Sequence, residues 1–193
     1  MMGKNRKAKA GGSAEQIRFG LGRTSIAALL VAVGPAGVVA IIISEHPDAD
    51  AQIAELKRRF PDAHLVRDDE GIKAEMAAVI DFVEAPTGNI ELPLDVRGTD
   101  FQQRVYREVL AIPLGETRTF ADIAARIGSP KAVRAVGNAC SRNPLEFAIP
   151  CHRVLRSDGS WAGGGAWGDR RQRTIVTREA ASRKRPPRAI QDK

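Results

Sequence analysis

Cysteine and histidine are scarce in this chain. Only Cys140 and Cys151 occur among its 193 residues, with three scattered histidines, His46, His64 and His152. Two thiols give no disulfide framework, and the histidines lack the close spacing of a zinc site, so no metal is expected and a reducing, cytoplasmic setting follows. An unbroken membrane-length apolar run is also missing. Ile26 to Ile43 is almost wholly apolar, but Gly34-Pro35-Ala36-Gly37 divides it into stretches too short to span a bilayer and suited to two strands joined by a turn. With 43% hydrophobic and 27% charged residues, the composition is that of an ordinary soluble globular protein with a real core.

What is present is an uneven distribution of charge. The formal net charge is +7, and residues 1–11 and 183–193 read as a basic arm and tail. Between them, residues 12–96 carry 7 basic and 14 acidic groups, whereas residues 97–182 carry 14 basic and 8 acidic. Arginine dominates the cationic half, and its planar fork suits phosphate. Nucleic acid is the partner this predicts for the second half; a merely solvated surface is the alternative.

Read in order, residues 1–16 form a disordered basic arm. Residues 17–94 form a first unit, with the strand pair, a helix over Asp48–Phe60, a second over Glu70–Val83, and an extended Ile90–Leu94 placed at a sheet edge by Pro93. Residues 95–182 form a second unit, and residues 183–193 a disordered basic tail. Thr99 and Gln102 have the spacing of a capping box for a helix bearing Phe101, Val105, Val109 and Ile112. Phe120–Ile127 is a short helix closed by Gly128. Ser129 is placed as the cap of a third helix from about Lys131 to Arg142, with Pro130 in its first turn. Helix, tight turn, helix predicts a helix-turn-helix. The third helix turns Val133 and Val136 inward and presents Ala132, Ala135, Gly137 and Ala139 around one long cation, Arg134, a low-relief face able to approach a groove. An alanine-rich packing helix with one solvated arginine would read the same way.

The chemistry gathers at Ile149-Pro150-Cys151-His152-Arg153-Val154. A free thiol has a pKa near ~8.5 and needs a base or cation to become a nucleophilic thiolate. His152 and Arg153 are candidates, although neighbours in an extended chain point to opposite faces, and an inert core thiol remains the plain alternative. Asn143, just past the third helix, is a candidate cap or a tie to the backbone around Cys151. Trp161 and the glycines Gly163, Gly164 and Gly165 form a loop that lets a planar ligand come close to backbone. In the final helix Glu179 shares a face with Ile175 and Val176 and needs a buried partner, for which His152 is the obvious choice.

With these residues assembled, the second half resembles the O6-alkylguanine-DNA alkyltransferases. The likeness rests on Arg97-Gly98-Thr99-Asp100-Phe101-Gln102-Gln103-Arg104-Val105, Pro130-Lys131-Ala132-Val133-Arg134-Ala135-Val136, the Pro-Cys-His-Arg core and Arg178-Glu179-Ala180. It implies an α/β, ribonuclease-H-like N-terminal subdomain followed by a mostly α helix-turn-helix alkyltransferase domain. It implies irreversible, single-turnover transfer of an alkyl group from O6-alkylguanine, with O4-alkylthymine as a second lesion, to Cys151 of a monomer acting on alkylated double-stranded DNA after base flipping, without cofactor.

Residue by residue, the resemblance makes Cys151 the acceptor, His152 its base through a water, Glu179 the carboxylate that orients the histidine, and Asn143 a hinge. Arg134 becomes the finger that fills the space left by the flipped nucleotide, with Phe120, Lys131, Ala132, Ala135 and Gly137 on the DNA face. Pro150, Trp161 and Gly163–Gly165 line the base pocket. Two departures stand out: Phe120 replaces the family's tyrosine, and the glycine loop lacks another. They predict a slower transfer, and they keep open a second reading, an alkylated-base-sensing or regulatory DNA-binding protein with little transfer. A Cys-His hydrolase is a third, and would require turnover.

Overall fold

In the computed structural model, which describes residues 14–161 and 168–183, the apolar run folds as the predicted hairpin, β2 (Ala28–Gly34) and β3 (Gly37–Ser44). Its side chains alternate between two cores. Leu29, Val31, Val33, Val38, Ile41 and Ile43 face one, while Leu30, Ala32, Val39, Ala40 and Ile42 face the other together with Leu56 of α1 (Ala49–Arg59). A strand pair covered on both sides needs no polar face, which is why the sequence reads as an almost continuous apolar run. Gly37 makes the turn at φ +130°, where an added Cβ would lie 2.2 Å from the Pro93 carbonyl oxygen. That carbonyl accepts from Val38 N at 2.8 Å, so the Pro93 segment does dock on a sheet edge.

Two further strands complete the sheet: β1 (Gln16–Arg23), antiparallel to β2, and β4 (His64–Arg67), parallel to β1, in the order β3-β2-β1-β4. Neither has a clean sequence signal, because glycines break the pattern of β1 and β4 has only four residues. The second helix, α2, spans Lys73–Glu84 and begins later than the predicted Glu70. Asp68 accepts from Gly71 N at 2.9 Å and ties the intervening residues into a turn.

The second half is helical. The Thr99–Gln102 capping box opens α3 (Asp100–Leu110) as predicted. A two-residue strand, β5 (Arg118–Thr119), leads into α4 (Phe120–Arg126), where Thr119 and Asp122 form a second capping box. Next is α5 (Val133–Ser141), two residues shorter at its start than predicted. Ala132 N donates to Ser129 O at 2.8 Å, closing a turn over Pro130 and Lys131. Ser129 is therefore not the helix cap, and Lys131 and Ala132 belong to the turn, with Ala132 in the N-cap position. The chain then passes through a 3-10 turn (Cys151–Arg153) and β6 (Val154–Leu155), which pairs in parallel with β5, to α6 (Gly168–Arg183).

The larger core runs from β2 and β3 through α2 and α3 to Val136, Ile149, Cys151 and Ile175, so the sheet and the helical half share apolar packing. They also share backbone hydrogen bonds. Ile41 N of β3 donates to Pro144 O at 2.8 Å, and Glu146 N donates to Ile41 O at 3.3 Å. The segment leading to Cys151 is thereby laid along the sheet. Among the described residues no helix is long and apolar enough to cross a membrane.

Candidate active site

Pro150, at φ −78°, starts the turn, and its carbonyl accepts from Arg153 N at 2.9 Å. A 3-10 turn has three residues per turn, so consecutive side chains fan out by about 120° rather than alternating. This resolves the difficulty of an extended Cys-His pair. Cys151 is buried in the larger core but keeps a slight exposure, 8%, while His152 and Arg153, 1% and 0% exposed, turn fully inward.

Glu179, fully buried on α6, meets both inward residues. His152 Nε2 lies 2.7 Å from its Oε1, Arg153 donates through Nε to Oε2 at 2.9 Å and through Nη2 to Oε1 at 3.1 Å, and Gly115 N donates to Oε2 at 3.3 Å. Gly115 must be glycine: its φ is +70°, and a Cβ there would lie 2.9 Å from Ala180 Cα. Burial alone would raise the Glu179 pKa, but the hydrogen bonds and charges of His152 and Arg153 outweigh it and hold the carboxyl at about 2. An ionised carboxylate only accepts, so His152 carries its hydrogen on Nε2. Burial pushes the imidazole pKa down against the pull of Glu179, which leaves the ring neutral with Nδ1 as its basic nitrogen. Arg153 also reaches Ile112 O at 2.7 Å and Asn89 Oδ1 at 3.3 Å. The sequence offered it as a cation for the sulfur; its guanidinium instead clamps the carboxylate.

Asn143 is not the helix cap, a position taken by Arg142. It is completely buried and makes the tie: Nδ2 donates to Ile149 O at 2.9 Å and Leu145 O at 3.3 Å, and Oδ1 accepts from Leu145 N at 2.9 Å. At the sulfur itself, a hydrogen-bonding contact with the Cys140 thiol, burial and the charge of Glu146 push the Cys151 pKa well above its usual value, against a lowering contact from Asn143. The resting nucleophile is a thiol.

On the other side of Cys151 stand α4 and α5. Phe120, the first residue of α4, is partly buried against the larger core. Lys131, Arg134 and Ala135 are exposed, Ala132 and Gly137 half-buried, and a Cβ built on Gly137 would meet nothing within 4 Å. Ala139 does not share that smooth face: it is buried, and its carbonyl accepts from Tyr106 Oη at 3.1 Å. Trp161 is half-buried and bridges to Leu155. Gly163, Gly164 and Gly165, expected in the base pocket, lie outside the described residues.

Three contributors were not anticipated. Gln172, buried on α6, donates through Nε2 to His152 O at 3.0 Å and Val154 O at 3.3 Å. Its place seven residues before Glu179 on the same helix face was the available signal. Phe147 has φ +66°, an uncommon conformation for a bulky side chain, and its ring centroid lies 6.2 Å from that of His152. Cys140 drew attention only as a second thiol, and it enters as a neighbour that helps to raise the Cys151 pKa.

A thiol beside a buried histidine–carboxylate pair, preceded by two helices joined by a tight turn, is an arrangement suited to thiol chemistry beside a nucleic acid. The family model described as the DNA-binding domain of 6-O-methylguanine DNA methyltransferase matches residues 100–181. The chain is 38% identical over 175 residues to the bifunctional transcriptional activator/DNA repair enzyme Ada of Escherichia coli, covering 91% of this chain and 49% of that protein. It is also similar to the solved Mycobacterium tuberculosis O6-methylguanine methyltransferase (TM-score 0.73, 29% identity, 89% of this chain and 96% of that one). The M. tuberculosis OGT solved in complex with DNA gives a TM-score of 0.69 at 31% identity, covering 86% and 94%. The chain belongs to the O6-methylguanine-DNA methyltransferase family. It spans about half the length of the first curated relatives it matches.

Proposed function

We propose that this protein repairs alkylated double-stranded DNA by moving the alkyl group of O6-alkylguanine, or O4-alkylthymine, onto Cys151. The observation that carries the reading is Cys151 at the edge of a turn whose next residue is buried against Glu179 at 2.7 Å. With Nε2 engaged by the carboxylate, His152 takes the thiol proton at Nδ1 through a water, and Glu179 stabilises the imidazolium. The S–C bond forms in line as the C–O bond breaks, and the proton passes on to the departing base. Because the resting thiol has a raised pKa, the proton leaves only as the base is seated. A thioether has no ready route back to a thiol, so each molecule acts once, and the step uses no cofactor or metal.

Asn143 fixes the turn that presents the sulfur. Arg134 fills the gap left by the everted nucleotide, Phe120, Lys131, Ala132, Ala135 and Gly137 line the DNA face, and Pro150, Trp161 and Gly163–Gly165 form the pocket. Residues 17–94 serve as a ribonuclease-H-like subdomain, a reading supported by a sheet of three antiparallel strands with a parallel fourth. Residues 95–182 carry DNA binding and transfer, and residues 1–16 and 183–193 are basic extensions. The protein acts as a cytoplasmic monomer.

The test is mass spectrometry of the Cys151 peptide after incubation with duplex containing O6-methylguanine. A gain of about 14 Da, one methylene, supports transfer. Binding to the lesion with an unmodified peptide would move the protein to the base-sensing class, and multiple turnovers on an ester would make it a hydrolase.

A further inference from the structure

Nothing in the transfer just described calls on Gln172, yet this side chain is 3% exposed and spends its amide on the reacting turn. Its Nε2 donates to the carbonyls of His152 at 3.0 Å and Val154 at 3.3 Å, and an amide nitrogen has two hydrogens, one for each. The turn's own bonds use other carbonyls, those of Pro150, which accepts from Arg153 N, and Cys151, which accepts from Val154 N. Gln172 therefore takes the two carbonyls that flank Arg153, and it does so from α6, the helix that also carries Glu179. Seven residues, about two turns, separate the pair, so both lie on one face roughly 10.5 Å apart along the axis. One helix thus holds His152 at two points, its backbone carbonyl through Gln172 and its Nε2 through Glu179 at 2.7 Å.

We propose that Gln172 is a positioning residue for the transfer: it fixes the main chain of His152 while Glu179 fixes the ring, and the two holds together set the direction of Nδ1. The proposal rests on His152 acting as the base for Cys151. With the ring alone held, His152 would pivot about its Nε2 contact, and Nδ1, on the other side of the imidazole, would swing off the line to the sulfur. A displacement of about 1 Å in a reacting group can cost about 10²-fold in rate. The chemistry of the side chain matters as much as its size. A leucine of similar volume leaves both carbonyls without this donor, and an ionised glutamate only accepts, so it sets further acceptor oxygens against them. A neutral glutamic acid keeps one O–H and restores part of the hold, and burial against carbonyls favours that neutral form.

The experiment follows single-turnover transfer from saturating O6-methylguanine duplex to the full chain, separating the rate constant from the amplitude, which counts competent molecules. Gln172→Leu is expected to keep its amplitude and its half-saturating duplex concentration while the rate constant falls at least about tenfold. In Gln172→Glu the rate constant relative to wild type should rise as the pH is lowered from about 8 to about 6, because the neutral carboxyl regains a donor. The same ratio for Gln172→Leu should stay flat. An amide that serves only the fold would lower the amplitude and leave the remaining molecules at the wild-type rate constant, and that result in Gln172→Leu overturns the proposal. If Gln172→Leu yields no competent molecules, Gln172→Glu decides alone: a ratio independent of pH, or no competent molecules there either, overturns it too. Wild-type protein that forms no adduct sinks the repair reading as well, whereas normal wild-type transfer with an unaffected rate constant in Gln172→Leu sinks this proposal alone.

Discussion

On the α6 side of Cys151, His152, Arg153 and Glu179 are almost wholly buried and hydrogen-bonded to one another, with Gly115, Ile112 and Gln172 adding backbone and amide contacts. On the α4–α5 side, Lys131, Arg134 and Ala135 stand exposed and Gly137 has open space over it. On the proposed function, the difference follows two tasks. Proton transfer needs groups held in one geometry in a low dielectric before the substrate arrives, whereas a DNA face keeps its cations solvated until phosphate and bases replace the water. Substitutions on the first side should therefore damage chemistry and stability together, and those on the second should damage only events that involve DNA.

The largest effect lies at the sulfur, which both sides serve. Cys151→Ala should abolish the alkyl adduct while leaving lesion binding intact, read by mass spectrometry beside a duplex-binding titration. An adduct appearing on Cys140 instead would show that the turn does not select the acceptor.

Glu179→Gln tests the buried side. It leaves Arg153 buried against a neutral amide, and breaking such a pair costs about 3–5 kcal/mol, read as a fall in the urea midpoint. Transfer should slow as well, since the amide can turn its NH₂ toward His152 and change the tautomer. The pH dependence has a definite sign. Glu179 is depressed from 4.5 to about 2, so the unfolded chain takes up its proton first, and the stability it contributes is present above 4.5 and lost as pH falls toward 2. His152, lowered by burial from 6.5, acts in the same direction from 6.5 downward. The wild-type protein should lose stability on acidification across both ranges, and Glu179→Gln should flatten the lower one. An unchanged lower limb would mean that the carboxylate is not ionised in the fold.

Phe120→Tyr probes the boundary between the two sides. A hydroxyl restored at the start of α4 supplies a donor to the developing charge on the base, a contribution of roughly 2–4 kcal/mol, or about 10²–10³ in rate. Single-turnover transfer should accelerate, with stability nearly unchanged because Phe120 is only partly buried. A variant no faster than the wild type would place the everted base away from the end of α4.

The same contrast explains what the sequence disclosed. The hairpin at 26–43, the Thr99 capping box and the partnership of His152 with Glu179 were legible because each rests on a local pattern or on a buried charge that demands a mate. The end of the helix-turn-helix turn was misjudged, since Ser129-Pro130 fits a helix start and a β-turn equally well until Ala132 N is seen to donate to Ser129 O. Arg153 is one of two candidates for the sulfur because the two are near in sequence; the 3-10 turn sends them apart, a distinction of about 120° that no composition records. Strands β1 and β4 depend on tertiary pairing and left no periodic trace.

The smallest predicted effect falls on the open side, and it separates a finger from a solvated arginine most directly. Arg134 is exposed on the first turn of α5, between a turn carrying Lys131 and a helix face bearing Ala135 and Gly137. If the helix enters a groove, this is the long side chain that reaches the stack, and Arg134→Ala should remove about 1–3 kcal/mol of duplex engagement. Because no buried contact is lost, the unfolding free energy should move by less than about 0.5 kcal/mol. Transfer from a short single strand, where no neighbouring pair must be held open, should fall much less than transfer from duplex. An equal loss on both substrates would reduce Arg134 to a phosphate contact, and no loss on either would make α5 a packing helix whose smooth face has nothing to do with DNA.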